Sequence, residues 1–300
     1  MKYNWAPLIG KMNVKKESIT FIGEKIKYDD QDVDVSAMGL FICDQKFSEG
    51  SISVDIKFND VSKNACADIV LYYDPQNKYQ LNAGLTSIQL FAIRHYDTKW
   101  TYHTMAGAPN SIEPNRIYHL QAFLRGSTIN LKSDGVEVLR FNLPFPLPQS
   151  QVGLFCINQS DIEFSNFTIE KTNPKAFVIM QFSSPYNEVY LDVIKKICEE
   201  EKIDVIRIDE ENGPGMIIQD ISKHINESKF IIADISPINA NVFYEVGYAH
   251  ALNKPTILIA EKDTRLPFDV SSFRTLFYEN TIGGKNKLEN GLRKHIKAIL

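Results

Sequence analysis

Residues 230–255 read Phe230-Ile-Ile-Ala-Asp234-Ile-Ser-Pro-Ile-Asn-Ala-Asn-Val-Phe-Tyr-Glu245-Val-Gly-Tyr-Ala-His-Ala-Leu-Asn-Lys-Pro255. A short apolar strand that ends at Asp234 is followed directly by an apolar helix, which carries the carboxylate of Glu245 in its first turns. In an open α/β sheet, ligands bind at the carboxyl ends of the strands, where such turns lie. Glu245 is therefore either a charge favoured by the helix dipole or a catalytic carboxylate.

The second half of the chain alternates between strand and helix on both sides of this stretch. Apolar runs predict strands at 177–182, 203–208, 230–235, 256–260 and 275–278. Apolar residues at helical spacing predict helices at 186–202, 216–227, 242–252 and 287–300. Such alternation requires a parallel sheet with helices on both faces. We therefore expect a flavodoxin-like α/β domain with a five-stranded parallel sheet over residues 173–300.

Residues 1–172 have a different pattern. Apolar and polar side chains alternate over residues 52–58, as in a half-buried strand, and Asp134-Gly135 marks the turn of a hairpin within residues 129–141. Further strands are predicted at 67–73, 79–83, 88–94, 117–124, 152–156 and 164–170. Short strands between turns favour an all-β antiparallel sandwich, so the chain is predicted to be multidomain.

Composition excludes several classes of function. The 300 residues contain 33 Lys and Arg against 37 Asp and Glu, without a basic stripe, so nucleic acid is not an expected partner. No run approaches the roughly 20 apolar residues of a membrane span, and the first residues lack a secretion signal. The four cysteines are scattered, which favours reduced structural thiols. We therefore expect a cytoplasmic protein without a membrane partner.

Polar side chains collect at the predicted strand ends of the second half. Asp209 follows the second strand, Asp234 ends the third, Asn239 lies six residues before Glu245, and Asp220 sits on the preceding helix. With no cationic neighbour expected, such a pocket suits sugar hydroxyls and an oxocarbenium-like centre better than phosphate. Taken singly, each of these residues also fits a helix cap, a turn or a solvated face. Glu245 has apolar neighbours, so burial should raise its pKa, which favours a catalytic role.

Other catalytic signatures do not occur in the sequence. It has no dinucleotide-binding glycine motif, Walker loop, serine-hydrolase elbow or metal-ligand spacing. Residues 211–216 are glycine-rich and are predicted to form a mobile loop over the pocket. The sequence therefore predicts neither a bound cofactor nor a metal site.

The second half also carries six segments that form a distinctive set. They are Phe177-Val-Ile-Met-Gln-Phe182, Arg207-Ile-Asp209, Ile217-Ile-Gln-Asp220-Ile, Phe230-Ile-Ile-Ala-Asp234-Ile-Ser, Asn239-Ala-Asn-Val-Phe-Tyr-Glu245-Val-Gly-Tyr-Ala and Lys254-Pro255. Together they resemble the nucleoside 2-deoxyribosyltransferase-like branch of the TIR-like superfamily, over residues 175–279. The resemblance implies that Glu245 is the catalytic carboxylate, which in the transferases captures the deoxyribose.

The resemblance also implies a substrate and its contacts. The transferases have an Asp where this chain has Asn239, and a glycine-bearing turn where it has Met180-Gln-Phe182. TIR domains that cleave NAD place a Glu comparably, so NAD is the expected substrate, with a nucleoside or nucleotide as the alternative. The expected substrate-binding residues are Phe182, Asp209, Asp220, Asp234, Asn239, Asn241 and Tyr244. Such domains are often homo-oligomeric effectors of anti-phage defence; a non-catalytic binding protein is a further alternative.

The first half resembles concanavalin A-like and laminin-G-like sandwiches in residues 151–156 and 161–170, which look like the final strands of such modules. It lacks the Glu-x-Asp-x-x-Glu pattern of sandwich glycosidases, so this half is not expected to hydrolyse sugars. Its aromatic residues either stack on sugar rings or bases, or belong to the core: Tyr72, Tyr73, His95, Trp100 and Tyr102. The resemblance implies a module that senses a small-molecule or carbohydrate-like ligand, or that drives assembly.

Overall fold

The computed structural model describes residues 3–28, 31–210 and 217–300. Two compact units divide the chain, and the main division falls between Thr172 and Asn173. The first unit comprises Met1–Leu124, Thr128–Asn142 and Leu147–Thr172. The second comprises Asn173–Leu300 with two short segments from earlier in the chain, Arg125–Ser127 and Leu143–Pro146.

The first unit consists of antiparallel strands. In the described part of the chain they are β1 (Trp5–Ile9), β2 (Met12–Val14), β3 (Ser18–Phe21), β4 (Lys25–Tyr28), β5 (Gln31–Phe47), β6 (Gly50–Phe58), β7 (Cys66–Asp74), β8 (Tyr79–Thr86), β9 (Phe91–Tyr96), β10 (Trp100–Ala106), β11 (Ile117–Arg125), β12 (Thr128–Ser133), β13 (Val136–Asn142), β14 (Ser150–Asn158) and β15 (Ile162–Lys171). The predicted hairpin is confirmed as β12 and β13, and the predicted alternation at residues 52–58 as β6.

These strands form the two sheets of a sandwich. One sheet has the order β1-β5-β14-β7-β8-β9-β10, with β4 paired to β5, and the other has the order β13-β12-β11-β6-β15-β3-β2. Side chains alternate between core and solvent along β6 and β11 of the second sheet, whereas β7, β8 and β14 of the first sheet are buried along most of their length. Phe21 of β3 and Phe41 of β5 meet in the core, with ring centroids 6.2 Å apart. The antiparallel sandwich predicted for the first half is therefore confirmed.

The second unit alternates strand and helix, as its sequence predicts. Its described elements are β16 (Lys175–Ile179), α1 (Tyr186–Val189), a π-helical turn (Tyr190–Ile194), α2 (Lys195–Glu200), β17 (Asp204–Arg207), a 3-10 turn (Ile208–Glu210), α3 (Ile217–Glu227), β18 (Phe230–Asp234), α4 (Ala240–Ala251), β19 (Thr256–Glu261), α5 (Phe268–Ser271), β20 (Thr275–Tyr278) and α6 (Ile282–Ile299). The strands pair in parallel to form a five-stranded sheet.

The strand order of this sheet is β17-β16-β18-β19-β20, or 2-1-3-4-5 within the unit, which is the flavodoxin-like order. The central strands β16, β18 and β19 are buried on both faces because helices cover both. On one face, Val178 and Ile232 pack with residues of the π-helical turn, α2 and α6. On the other, Phe177 and Ile231 pack with residues of α3, α4 and α5. In this order the connections reverse direction beside β16, and an open sheet has its crevice at such a point.

Several element boundaries differ from the prediction, including those of β16, α6 and β9. The first strand ends at Ile179 rather than at Phe182, which leaves Met180–Phe182 as a loop beyond the strand end. The last helix begins at Ile282 rather than at residue 287, because the Thr281 side chain accepts a hydrogen bond from Gly284 N at 3.0 Å and caps it. Strand β9 begins at Phe91, since the Thr86 hydroxyl donates to the Gln89 carbonyl in a turn before it.

The four cysteines are buried and free of disulfide bonds. Among the described residues, no helix combines the length and the apolar character that a membrane crossing requires.

Candidate functional site

A cavity of about 470 Å³ opens in the second unit, where strands β16, β17 and β18 end. This is the crevice at which open parallel sheets bind ligands. The residues that line it come from the loop after β16, from the turn after β17, and from α3 and α4: Met180, Gln181, Phe182, Ile208, Ile221, Asn239, Asn241, Val242, Tyr244 and Glu245. Five of the eight predicted site residues, Phe182, Asn239, Asn241, Tyr244 and Glu245, are thus brought together.

Glu245 lies in the second turn of α4, half-buried, with its helix neighbours Val242 and Val246 in the core. No hydrogen bond or ion pair with any described residue offsets the loss of water around its carboxylate. Burial alone raises its pKa to about 7. A carboxylate that is desolvated, unpaired and open to a cavity is typical of a catalytic group.

This pKa has a consequence for stability that can be measured. Because the folded-state pKa exceeds the ordinary value of 4.5, folding favours the protonated form of Glu245. Its contribution to the free energy of unfolding should therefore decrease as pH rises from about 4.5 to about 7, and then level off. Glu245→Gln removes this titration. Urea titrations across that range should show the variant gaining stability relative to wild type as pH rises; a constant difference would contradict a buried, unpaired carboxylate.

Asn239 both caps a helix and lines the cavity. Its side-chain oxygen accepts hydrogen bonds from Asn241 N at 3.0 Å and Val242 N at 3.4 Å, and its Nδ2 donates to Gln181 Oε1 at 3.4 Å. The helix-cap explanation is thus confirmed. It fixes the start of α4, and so the position of Glu245 six residues later, and it ties α4 to the loop after β16.

The cap predicts a graded response to substitution. Asn239→Ala should lower the stability of the second unit by about 1 kcal/mol, whereas Asn239→Asp keeps a capping oxygen and should change it by less than about 0.5 kcal/mol. Denaturant titration of the helical circular-dichroism signal measures both. Asn241→Ala is the matched control, since Asn241 also lines the cavity but caps nothing. Equal losses for Asn239→Ala and Asn241→Ala would contradict the cap.

Two aromatic rings flank the cavity. Phe182 is 46% exposed and Tyr244 is 61% exposed, so both present apolar faces to a ligand. The guanidinium of Arg207 supports Phe182, with its Cζ 5.3 Å from the ring centroid, and it also lies 4.1 Å from the ring of Tyr190. An aromatic ring held in this way can stack on the planar base of a nucleotide.

Arg207 corrects the expectation that the strand ends hold no cation. It ends β17, is 4% exposed, and grips Asp209 through two hydrogen bonds, from Nε at 2.6 Å and from Nη2 at 2.7 Å. This bidentate pair neutralises Asp209, which is not among the residues lining the cavity. The structure therefore gives Asp209 the role of orienting Arg207 rather than that of a substrate ligand.

Asp234 is likewise engaged elsewhere. It is fully buried at the end of β18, where it accepts hydrogen bonds from Ser236 N at 2.9 Å, from the Ser236 hydroxyl and from Tyr278 Oη at 2.7 Å. Burial raises its pKa. Because none of its surface is open to solvent, the expectation that Asp234 contacts substrate directly does not fit this geometry. It instead joins the ends of β18 and β20.

A further predicted substrate-binding residue does not line the described cavity. Asp220 is half-buried on α3, and its neighbour Ile221 lines the cavity whereas Asp220 does not. Residues 211–216, for which a mobile loop is predicted, lie outside the described residues. Among the residues that are described, no group of three or more His, Cys, Asp or Glu side chains is placed to hold a metal ion.

Two polar residues of the site, Arg207 behind Phe182 and Gln181 in the cavity wall, are not among the predicted site residues. Arg207 stands within the quoted Arg207-Ile-Asp209 segment, so its position next to an acid at a strand end was a usable signal. The sequence offers no such signal for Gln181, because residues 177–182 are predicted to form a strand. Strand β16 ends earlier, at Ile179, and this places Gln181 in the cavity wall.

No family model matches the sequence, and no curated protein matches it. Solved structures match the N-terminal part. The carbohydrate binding module CBM66 from Bacillus subtilis is 16% identical, over 56% of this chain and 95% of that one, with a TM-score of 0.46. A prokaryotic beta-1,3-1,4-glucanase (lichenase) from a mouse hindgut metagenome is 10% identical, over 54% of this chain and 90% of that one, with a TM-score of 0.40. The Bacillus licheniformis beta-glucanase is 10% identical, over 54% of this chain and 89% of that one, with a TM-score of 0.38.

Proposed function

We propose that the second unit cleaves an N-glycosidic bond, with NAD as the substrate and with nicotinamide and an ADP-ribose product. The observation that carries this proposal is the unpaired carboxylate of Glu245, half-buried at the crevice of a parallel sheet and flanked by exposed aromatic rings. The resemblance of the surrounding segments to TIR-like domains supports the same chemistry. NAD is a substrate in this proposal, and no cofactor is required.

The chemistry follows from the charge that develops at the ribose. As the bond from the anomeric carbon to the nicotinamide nitrogen breaks, its electron pair leaves with nicotinamide, and positive charge develops on the ribose. Ionised Glu245 stabilises that charge or bonds to the anomeric carbon. Water then attacks that carbon and loses its proton to solvent; where Glu245 has bonded to the carbon, this ester bond breaks as water attacks, and the carboxylate is restored. The weak solvation of Glu245 strengthens its attraction to the developing cation.

The other residues of the cavity serve to bind and orient. Phe182 and Tyr244 provide faces on which the departing base can stack. Asn239 and Asn241 lie beside Glu245 and can hydrogen-bond ribose hydroxyls. Asp220, which precedes the cavity-lining Ile221 on α3, is proposed to orient the ribose once substrate is bound.

The expected pH dependence is a specific consequence. Glu245 must be ionised to stabilise positive charge, and its pKa is about 7. Base release should therefore rise with pH through about 7 and reach a plateau above it. Initial rates of nicotinamide release between mildly acid and mildly alkaline pH measure this. A rate that falls as pH rises through the same range would contradict an ionised Glu245.

Three functions are separated by one panel of compounds. Concentrated protein is incubated with NAD and, separately, with purine and pyrimidine deoxynucleosides, and the products are resolved by chromatography. Nicotinamide release from NAD supports the proposal. Release or exchange of a base from deoxynucleosides instead supports the alternative, a nucleoside or nucleotide N-glycosidase or deoxyribosyltransferase. Recovery of an intact bound nucleotide supports the non-catalytic alternative.

The first unit is proposed to sense a ligand or to drive assembly, as the resemblance to effectors of anti-phage defence suggests. A homo-oligomer is part of this proposal, because TIR-like catalysts often complete their sites by assembly. Light scattering coupled to size-exclusion chromatography, with activity measured on each fraction, tests it. Full activity in a monomeric fraction would remove assembly from the proposal.

A further inference from the structure

A second cavity lies in the first unit, on the sheet that contains β5, β7, β8, β9, β10 and β14. Its volume is about 270 Å³. Five aromatic side chains line it, Tyr73, Tyr79, Tyr96, Trp100 and Phe155, together with Ile9, Met38, Leu40, Pro75, Lys78 and Gln80. A cleft lined by so many aromatic rings is typical of a binding site for a small molecule.

The aromatic wall is held in place from behind. The ring of Trp100 lies 5.0 Å from that of Phe155 and 5.3 Å from that of Tyr96. The guanidinium of Arg94 stacks on Trp100 at 4.1 Å, and Arg94 is fixed by a buried ion pair with Asp68 at 2.6 Å. The rings therefore do not need to be ordered when a ligand enters, which favours binding.

One buried polar group in the wall lacks a partner. Gln80 is only 6% exposed, and its Oε1 has no hydrogen-bond partner among the described residues. That oxygen is itself closed to solvent, so the carboxamide has to turn about its Cγ–Cδ bond to pair with a ligand. Because buried polar atoms are nearly always hydrogen-bonded, a ligand that pairs with the turned carboxamide would satisfy it. A carboxamide offers an acceptor beside a donor, which matches the paired donor and acceptor on the edge of a nucleobase.

We propose that this cavity binds one planar heteroaromatic ring with adjacent hydrogen-bond donor and acceptor groups, of the nucleobase class. The ring stacks within the aromatic wall, and its polar edge pairs with the carboxamide of Gln80. A pyranose fits less well, because the hydroxyls around its edge need several polar partners, whereas most of this wall is aromatic or aliphatic. The inference is independent of catalysis by Glu245.

Tryptophan fluorescence reports on this site alone. The chain has two tryptophans, Trp5 and Trp100, both in the first unit, so Trp5→Phe leaves Trp100 as the single reporter. In this background the full-length protein is titrated with adenosine, guanosine, cytidine and thymidine, and with methyl glucopyranoside, at up to millimolar concentration. At least one nucleoside should quench or shift the Trp100 emission saturably, and the glucoside should not.

Two variants locate the contact. Gln80→Met preserves the volume of the side chain and should weaken nucleoside binding about tenfold or more. Tyr96→Ala truncates a half-buried wall residue and should weaken it by a similar factor. Gln76→Met, at an exposed glutamine of the adjoining turn, is the matched control and should leave binding unchanged.

No response to any nucleoside, stronger binding of the glucoside, or equal affinity in all three variants would overturn the proposal. The Glu245→Gln substitution should not affect this titration, so the two proposals fail separately.

Discussion

Glu245→Gln should leave the protein folded and reduce the release of base by about a thousandfold or more. The amide has nearly the shape of the carboxyl group, so the packing of α4 on the sheet is preserved. It cannot carry the negative charge that stabilises the ribose cation, nor can it bond to the anomeric carbon. Because burial disfavours the charged form of Glu245, the variant should be at least as stable as wild type above about pH 7.

The matched control is Glu289→Gln on α6. Glu289 is a partly buried helix glutamate that faces Lys285 at 3.9 Å and does not line the cavity. The same chemical change there should leave the rate of base release within twofold of wild type. The Glu289–Lys285 ion pair that it removes contributes only about 0.3 kcal/mol or less to stability. Similar rates for both variants, whether both high or both low, would remove Glu245 from the chemistry.

Asp234→Ala should cost the second unit about 3 kcal/mol of stability. The substitution leaves the buried Tyr278 hydroxyl and the Ser236 hydroxyl without the acceptor they share, and it unlinks the ends of β18 and β20. Denaturant titration followed by the helical circular-dichroism signal measures the loss. This prediction does not depend on any reaction.

Asp192→Ala provides the comparison. Asp192 is exposed and pairs only with Lys196 one helical turn away at 3.1 Å, so its loss should change stability by less than about 0.5 kcal/mol. If Asp234→Ala were as stable as Asp192→Ala but defective in substrate binding, Asp234 would be a ligand contact rather than a buried tie between strands.

The three acids near the carboxyl ends of the parallel strands thus differ in how their negative charge is balanced. Asp209 is neutralised by Arg207, and Asp234 is satisfied by hydroxyl groups deep in the fold. Glu245 keeps an unpaired carboxylate in a poorly solvated position. Since ion pairing and hydrogen bonding both stabilise an ionised carboxylate, it is the acid without either that retains reactivity near neutral pH.

The sequence predicts the architecture correctly in those segments where the spacing of apolar residues gives a strong signal. Apolar runs such as residues 230–234 are typical of strands buried on both faces, and their alternation with helices favoured a parallel sheet. The strands that were missed carry weaker signals. Edge strand β10 is rich in Thr, Tyr and His and is only partly buried, and the 17-residue β5 begins in a polar segment. Such strands are defined by pairing with distant strands, which a local pattern does not reveal.

The candidate site was predictable in part for a similar reason. Strand ends of a parallel sheet converge, so residues placed just after them, such as Asn239 and Glu245, were expected to meet. The partners that occupy Asp234 could not be inferred, because Tyr278 lies 44 positions further along the chain. The apolar cavity of the first unit was foreshadowed by Tyr73 and Trp100, but nothing in the sequence indicated that Gln80 would be buried beside them.

The most direct test of the central claim is a side-by-side time course of wild type and Glu245→Gln in a mixture of NAD and nucleosides. The account predicts that wild-type protein consumes NAD and releases an equal amount of nicotinamide, while the variant releases almost none and unfolds at the same or a higher denaturant concentration. Consumption of NAD at equal rates by both proteins, or no consumption of any compound by concentrated wild-type protein, would contradict it.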